Sequence, residues 1–76
     1  TEYLVIELKK GRASDGVVGQ ILRYMGYVRE KVADPNQDVK GLIIALEEDL
    51  KTRWALKEVP NVTFSRYQIN FQLIDD

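Results

Sequence analysis

A carboxylate and an ammonium group lie two positions apart at the end of an apolar run, where Tyr3-Leu4-Val5-Ile6 is followed by Glu7-Leu8-Lys9. On an extended strand, side chains two positions apart point to the same face, so we expect Glu7 and Lys9 to lie side by side. A metal-dependent phosphodiesterase uses such a pair, because a carboxylate holds a divalent cation while a cation orients a water and offsets developing charge. The alternative is a strand that reaches the surface and ends in solvated residues.

A second polar pair follows on a predicted helix. Gln20 and Tyr24 are four positions apart, so they lie one turn above the other on the same side. They fall at the edge of the apolar stripe, and few residues separate the early helical turns from Lys9. We therefore expect Gln20 to face Glu7 and Lys9. The alternative is an exposed surface amide beside a half-buried packing tyrosine.

Basic residues continue into the loop after the first strand, where Lys10 and Arg12 follow Lys9. They are candidate substrate-binding residues, because lysine and arginine contacts to a phosphate backbone contribute a salt-dependent affinity that does not depend on base sequence. A charged loop is also common on soluble domains, so this cluster alone indicates little.

Composition limits the chemistry that the chain can perform. The 76 residues are 45% hydrophobic and 30% charged, which is typical of one globular domain with a small core. Cysteine and histidine are absent, so thiolate sites and histidine acid-base catalysis are excluded. Oxygen ligands must therefore hold any metal, which favours Mg²⁺, Mn²⁺ or Ca²⁺. A net charge of −1 means that any nucleic-acid contact must come from local patches.

Apolar runs are too short to predict a membrane span, and the first residues do not resemble a secretion signal. We therefore expect no membrane association and a cytoplasmic location.

The elements that position these residues can be predicted from periodicity. Apolar residues at three- and four-residue steps predict a helix over 15–33, capped by Ser14 or Asp15, with Gly19 and Gly26 packed closely against another element. A strand apolar on both faces is predicted over 39–46.

The rest of the chain predicts a second helix over 47–58 and a third strand over 62–74. Leu46, Leu50 and Trp54 would form the buried stripe of that helix, and a bulge is expected at Ser65-Arg66. Together these elements predict an α/β domain with βαβαβ order and a small, mostly parallel sheet flanked by helices.

The motif residues resemble one nuclease superfamily. Val5-Ile6-Glu7-Leu8-Lys9, the basic loop and Gln20-Ile21-Leu22-Arg23-Tyr24 resemble the RecB-like branch of the PD-(D/E)xK nucleases, in which an E-x-K strand precedes a helix bearing Q-x-x-x-Y. Residues 6–26, IELKKGRASDGVVGQILRYMG, are similar to the catalytic C-terminal domain of NucS-type endonucleases. The segments 39–45, 55–61 and 67–73 also fit the end of that domain.

The resemblance implies roles for four residues in a DNA endonuclease that uses Mg²⁺ or Mn²⁺. Glu7 would ligate the metal, and Lys9 would position or activate the attacking water. Gln20 would support the site or the scissile phosphate, and Tyr24 would support the seam between helix and sheet. Residues 1–76 would form a single partial nuclease-like domain, the C-terminal part of a restriction-endonuclease-like core.

One departure from the family pattern concerns the second metal ligand. The family has an acidic residue, usually Asp, on a strand that precedes and pairs with the E-x-K strand, and this sequence has no such strand. Glu2 is an odd number of positions from Glu7, so it points to the opposite face. We therefore expect these residues alone to be inactive. The first strand would expose an unpaired edge, which predicts a homo-oligomer or another association through that edge.

Three interpretations of the sequence remain open. The first is a divalent-metal-dependent DNA endonuclease domain, and the second is a non-catalytic module that keeps the nuclease fold to bind nucleic acid or protein. In the third, a structural βαβαβ domain, Glu7 and Lys9 form a surface ion pair worth at most about 1 kcal/mol.

Overall fold

Two helices and a parallel sheet make up the described part of the chain, residues 2–70 and 72–75 of a computed structural model. In chain order, the elements are β1 Glu2–Leu8, β2 Arg12–Ala13, α1 Gly16–Lys31, β3 Asp38–Ala45, β4 Glu47–Glu48, α2 Leu50–Lys57 and β5 Val62–Arg66. Strands β2 and β4 are only two residues long. This order confirms the predicted βαβαβ architecture.

The main sheet is parallel, with the strand order β1-β3-β5. Each new strand is added on the same side of the previous one. Right-handed crossovers from β1 to β3 and from β3 to β5 therefore place both helices on the same face of the sheet. The contacts between α1 and α2 agree with this arrangement. The predicted small parallel sheet is confirmed, and its helices lie on one side.

The core lies between α1 and the sheet. The three- and four-residue spacing of apolar positions gives α1 one apolar face, and that face is buried. Asp15 occupies the N-cap position but its side chain makes no capping hydrogen bond, so the predicted cap is wrong. The buried apolar residues are Val17, Val18, Ile21 and Met25 of α1, Ala13 of β2, Val39, Ile43 and Ala45 of β3, and Val62 of β5.

Gly41, in the middle of β3, allows α1 to approach the sheet closely. A Cβ on Gly41 would lie 2.7 Å from Met25 Sδ and 3.0 Å from Ile21 Cδ1. Close packing was predicted at Gly19 and Gly26 instead, and that prediction is wrong because both glycines are exposed. A Cβ on Gly26 would meet no atom within 4 Å, and one on Gly19 would meet only the Arg23 side chain, at 4.0 Å.

The last strand is shorter than the alternating sequence predicts. β5 ends at Arg66, whereas residues 67–70 and 72–75 form no strand, and Phe71 lies outside the described residues. The reason is the length of the neighbouring strand, because β3 ends at Ala45, which is the partner of Arg66. The β3–β5 register is uninterrupted up to that pair, so the predicted bulge at Ser65-Arg66 is also wrong.

Helix α2 begins later than predicted, because Glu47 and Glu48 pair with β2 as strand β4. Asp49 then becomes the N-cap, and its Oδ1 accepts a hydrogen bond of 2.8 Å from the backbone N–H of Thr52. The Thr52 hydroxyl is buried and donates to the carbonyl of Ala13 at 3.4 Å. Asp49 and Thr52 thus attach the start of α2 to β2.

The predicted buried stripe of α2 is wrong. Leu46, Leu50 and Trp54 are 39%, 57% and 59% exposed. Ala55 and Leu56 pack partly against the core instead. An eight-residue helix that faces α1 needs only a narrow contact, so the apolar side chains on its other sides stay in water.

The sheet face opposite the helices is apolar and open in the described residues. Leu4, Ile6 and Leu8 of β1 point to this face and are 54%, 54% and 66% exposed. Since both helices cover the other face, no described helix is left to cover this one. Neither described helix combines the length and apolar character that crossing a bilayer requires.

Replacing Gly41 tests the close approach of α1. Gly41→Ala should lower the free energy of unfolding by about 1–2 kcal/mol, because overpacked cores lose about 1–3 kcal/mol and part is regained from the glycine entropy. Gly26→Ala is the matched control and should raise stability by about 0.5–1 kcal/mol, since its Cβ meets open space. Urea denaturation of both variants checks the pair, and a Gly41→Ala protein as stable as wild type would contradict the packing.

The cap of α2 predicts a pH dependence. The pKa of Asp49 lies below its ordinary value of 3.8. The backbone hydrogen bond from Thr52 lowers it most, the Thr52 side chain lowers it next, and the nearby charges of Arg12 and Lys51 add smaller contributions. A lowered carboxyl pKa stabilises the fold at every pH above 3.8, and this stability is lost as pH falls through the folded-state pKa. The stability difference between wild type and Asp49→Ala should therefore narrow below pH 3.8 in thermal melts. Asp49→Asn keeps the cap without titrating, so its advantage over Asp49→Ala should not change with pH.

Candidate active site

Glu7 and Lys9 lie together where β1 ends, on the face that α1 covers. Lys9 Nζ is 3.6 Å from Glu7 Oε1, which confirms that the two side chains share a face. Their side chains are 17% exposed for Glu7 and 37% for Lys9. The carboxylate is therefore the more enclosed partner of the pair.

Gln20 and Tyr24 extend this pair into a chain of four polar side chains. Lys9 Nζ donates to Gln20 Oε1 at 3.3 Å, and Gln20 Nε2 donates to the Tyr24 hydroxyl at 3.1 Å. The expectation that Gln20 faces the Glu7 and Lys9 pair is confirmed. We call Glu7, Lys9, Gln20 and Tyr24 the polar chain. The catalytic roles of its members stay predictions.

Helical geometry explains why the polar chain forms. Gln20 and Tyr24 each precede a buried residue, Ile21 and Met25 respectively. Successive residues differ by about 100° around the helix. Burial of Ile21 and Met25 against the sheet therefore places Gln20 and Tyr24 at the side of α1. Gln20 is directed at the end of β1.

The loop after β1 is attached to the rest of the molecule at several points. Gly11 accepts a backbone hydrogen bond of 3.0 Å from Leu46, and Ala13 accepts the bond from Thr52. The Tyr67 hydroxyl donates to the carbonyl of Lys10. These bonds hold the start of α1 next to the end of β1, which the polar chain requires.

The predicted substrate-binding residues lie beside the polar chain but do not contact it. Arg12 pairs with Glu47 at 3.8 Å, and both side chains are exposed. Lys10 is exposed, and its side chain forms no ion pair with the acids of the described residues. Both cations are therefore at the carboxyl end of the sheet, where a passing phosphate could reach them.

Glu7 can supply one oxygen ligand to a hard cation. Mg²⁺ keeps several waters and is held in proteins by one or two carboxylates together with substrate phosphates. An enclosed carboxylate fits one position in such a shell. Within residues 2–70 and 72–75, acidic side chains form no group of three or more that could hold a metal ion.

A cleft that the sequence patterns did not predict lies at the same end of the sheet. It has a volume of about 780 Å³ and lies where β3 and β5 end. Ligands of open parallel sheets bind beyond the carboxyl ends of the strands, and this rule could have indicated the location from the predicted parallel sheet. The lining residues are Leu46, Glu47, Arg66, Tyr67, Gln68 and Ile69.

Comparisons with known proteins leave the polar chain as the basis for a functional conclusion. No protein-family model matches this chain, and neither does any curated protein or solved structure. The resemblance to the RecB-like nucleases stays a prediction that rests on the motif residues. Function must consequently be inferred from the geometry around Glu7 and Lys9.

Proposed function

We propose that this chain carries part of the active site of a DNA endonuclease of the RecB-like type, which hydrolyses phosphodiester bonds with Mg²⁺ or Mn²⁺. The observation that supports this most is the polar chain, since it joins an E-x-K strand to a Q-x-x-x-Y helix through hydrogen bonds. Glu7 and Lys9 lie at the end of β1, and Gln20 and Tyr24 lie on α1. A cytoplasmic location is part of the same proposal.

Two partners position the ammonium group of Lys9. Glu7 lies 3.6 Å from it and Gln20 accepts its hydrogen bond at 3.3 Å, so two partners restrict where Nζ can point. A charge that is oriented before the reaction stabilises developing negative charge without reorganisation. Lys9 would therefore orient the attacking water and stabilise the charge that builds up on the phosphate oxygens.

The other members of the polar chain support Lys9 and the metal. Glu7 would hold Mg²⁺ or Mn²⁺, which when bound supplies Lewis-acid polarisation of the phosphate. Gln20 has its amide fixed from both sides, by Lys9 and by Tyr24, so its carbonyl oxygen stays directed at Nζ. Tyr24 would act as a positioning residue at the outer end.

The proposal places a second metal-binding carboxylate on a strand that pairs with the free edge of β1. In the described sheet, β1 is the first of three strands and pairs only with β3. Lys9 directs its N–H to Ile44 of β3 at 2.9 Å, and alternate residues of a parallel strand point the same way. The N–H groups of Leu4, Ile6 and Leu8 thus point outward to that edge. A strand of the same protein or of a second copy would satisfy them.

Substitutions at Glu7 and Lys9 test the nuclease proposal. In the full-length protein, Glu7→Gln and Lys9→Ala should each lower Mn²⁺- or Mg²⁺-dependent cleavage of DNA by a factor of about 10² or more, the usual loss when one preorganised group is removed. Stability should change little, because such pairs contribute at most about 1 kcal/mol. Cleavage rates on a labelled DNA and thermal melts of the same samples check both statements.

Glu2 and Lys40 provide a matched control at the opposite end of the sheet, where they pair at 3.2 Å. Glu2→Gln and Lys40→Ala should leave cleavage unchanged. Full activity after Glu7→Gln or Lys9→Ala would sink the nuclease proposal. Salt-sensitive DNA binding without cleavage, and no metal detected by calorimetry, would favour the non-catalytic module instead.

The free edge of β1 predicts self-association. Light scattering of residues 1–76 alone should show a mass that rises with protein concentration, because unpaired N–H groups and an open apolar face both favour contact with a strand of a second copy. Ile6→Pro removes one outward N–H and should lower association, whereas Ile6→Thr keeps that N–H and should lower it less. A strict monomer at high concentration, or equal effects of the two variants, would contradict pairing through this edge.

A further inference from the structure

We propose that the cleft beyond β3 and β5 binds the part of the DNA strand that extends past the polar chain, with Arg66 contacting one of its phosphates. This inference rests on the proposed nuclease function and extends it to a substrate-binding residue outside the sequence motif. It concerns Arg66 and the neighbouring Tyr67, which line the cleft.

Strand register places Arg66 in line with Lys9. Arg66 is the partner of Ala45, and Lys9 follows the pair formed by Leu8 and Ile44. Lys9, Ala45 and Arg66 therefore occupy one row across three strands and point to the same face. Neighbouring strands are about 4.8 Å apart, so the two basic residues are separated by about 10 Å at their Cα atoms. A nucleic-acid strand advances about 3.4 Å per nucleotide, which makes this span about three nucleotides.

The charges along this row favour an anion at Arg66. Lys9 pairs with Glu7, and Arg12 pairs with Glu47, the only acid among the described residues that line the cleft. The ion pairs of the described residues do not include Arg66, whose side chain is exposed. An exposed arginine that faces an open cleft can contact a phosphate with two parallel N–H groups.

The remaining wall of the cleft suits the sugar and base of a nucleotide. Tyr67 and Ile69 offer apolar surface, and Gln68 offers an amide that can both donate and accept hydrogen bonds. The Tyr67 hydroxyl is held by the carbonyl of Lys10, so its ring is oriented and joined to the basic loop. Aromatic rings in such grooves stack on bases without sequence preference. A basic row leading to an aromatic residue therefore favours a DNA strand over a small anion.

The test compares Arg66→Ala with Lys31→Ala, each of which removes one exposed cation. Lys31 ends α1 near the amino end of β3, as the bond from Arg29 to the Val39 carbonyl at 3.4 Å indicates. Fluorescence anisotropy of the full-length protein with a labelled DNA, between 50 and 200 mM salt, gives affinity and its salt slope. Arg66→Ala should weaken binding by a factor of about 3–10 and reduce the slope by about 1. Lys31→Ala should change neither.

Cleavage kinetics supply the second measurement. Arg66→Ala should raise KM with little change in kcat, because a phosphate contact away from the reacting bond affects binding of substrate and transition state alike. Arg66→Lys should recover most of the salt slope. Circular dichroism verifies that both variants are folded, which the exposure of Arg66 predicts.

The outcomes separate this inference from the nuclease proposal. A wild-type protein that cleaves DNA, with Arg66→Ala indistinguishable from Lys31→Ala, overturns only the assignment of the cleft. A change in affinity with an unchanged salt slope also overturns it, since no phosphate contact would have been lost. A wild-type protein that neither binds nor cleaves DNA overturns the nuclease proposal and this inference with it, and binding of an acidic peptide in place of DNA would do the same.

Discussion

The packing of Ile21 and Met25 over Gly41 sets the position of α1 on the sheet, and the candidate site depends on it. A glycine in β3 lets two long side chains descend where a Cβ would come within 3.0 Å of both. Gln20 and Tyr24 directly precede those two residues in sequence. The packing of Ile21 and Met25 against Gly41 therefore also turns the polar side of α1 toward β1. The hydrogen bond from Lys9 to Gln20 is thus a consequence of core packing.

Strand order determines where the other features lie. Because β1, β3 and β5 follow one another in one direction, both helices cover one face, and the second face keeps Leu4, Ile6 and Leu8 exposed. All three strands end at the same edge. The polar chain, the basic loop and the cleft beside Arg66 therefore gather there, while the free edge of β1 runs alongside. A partner strand at that edge would reach Glu7 from the side opposite the cleft.

Local patterns predicted some of these features, and contacts between distant residues decided the rest. The two-residue spacing of Glu7 and Lys9 and the helical spacing of Gln20 and Tyr24 are enough to predict two shared faces, which the structure confirms. Gly41 was missed because its partners come from α1 and β5 rather than from neighbours in sequence.

The same reason explains the errors at both ends of the α2 region. Glu47 and Glu48 directly precede α2 in sequence but pair with β2, and the alternating residues after Arg66 have no strand of matching length beside them.

The most direct test of a jointly acting site is a double-mutant cycle in DNA cleavage by the full-length protein, with Glu7→Gln, Lys9→Ala and the combined variant. If the two residues act as one unit, the combined variant should lose no more activity than the worse single variant, within a few-fold. Losses that multiply, or single variants that keep wild-type rates, would contradict a shared role for Glu7 and Lys9.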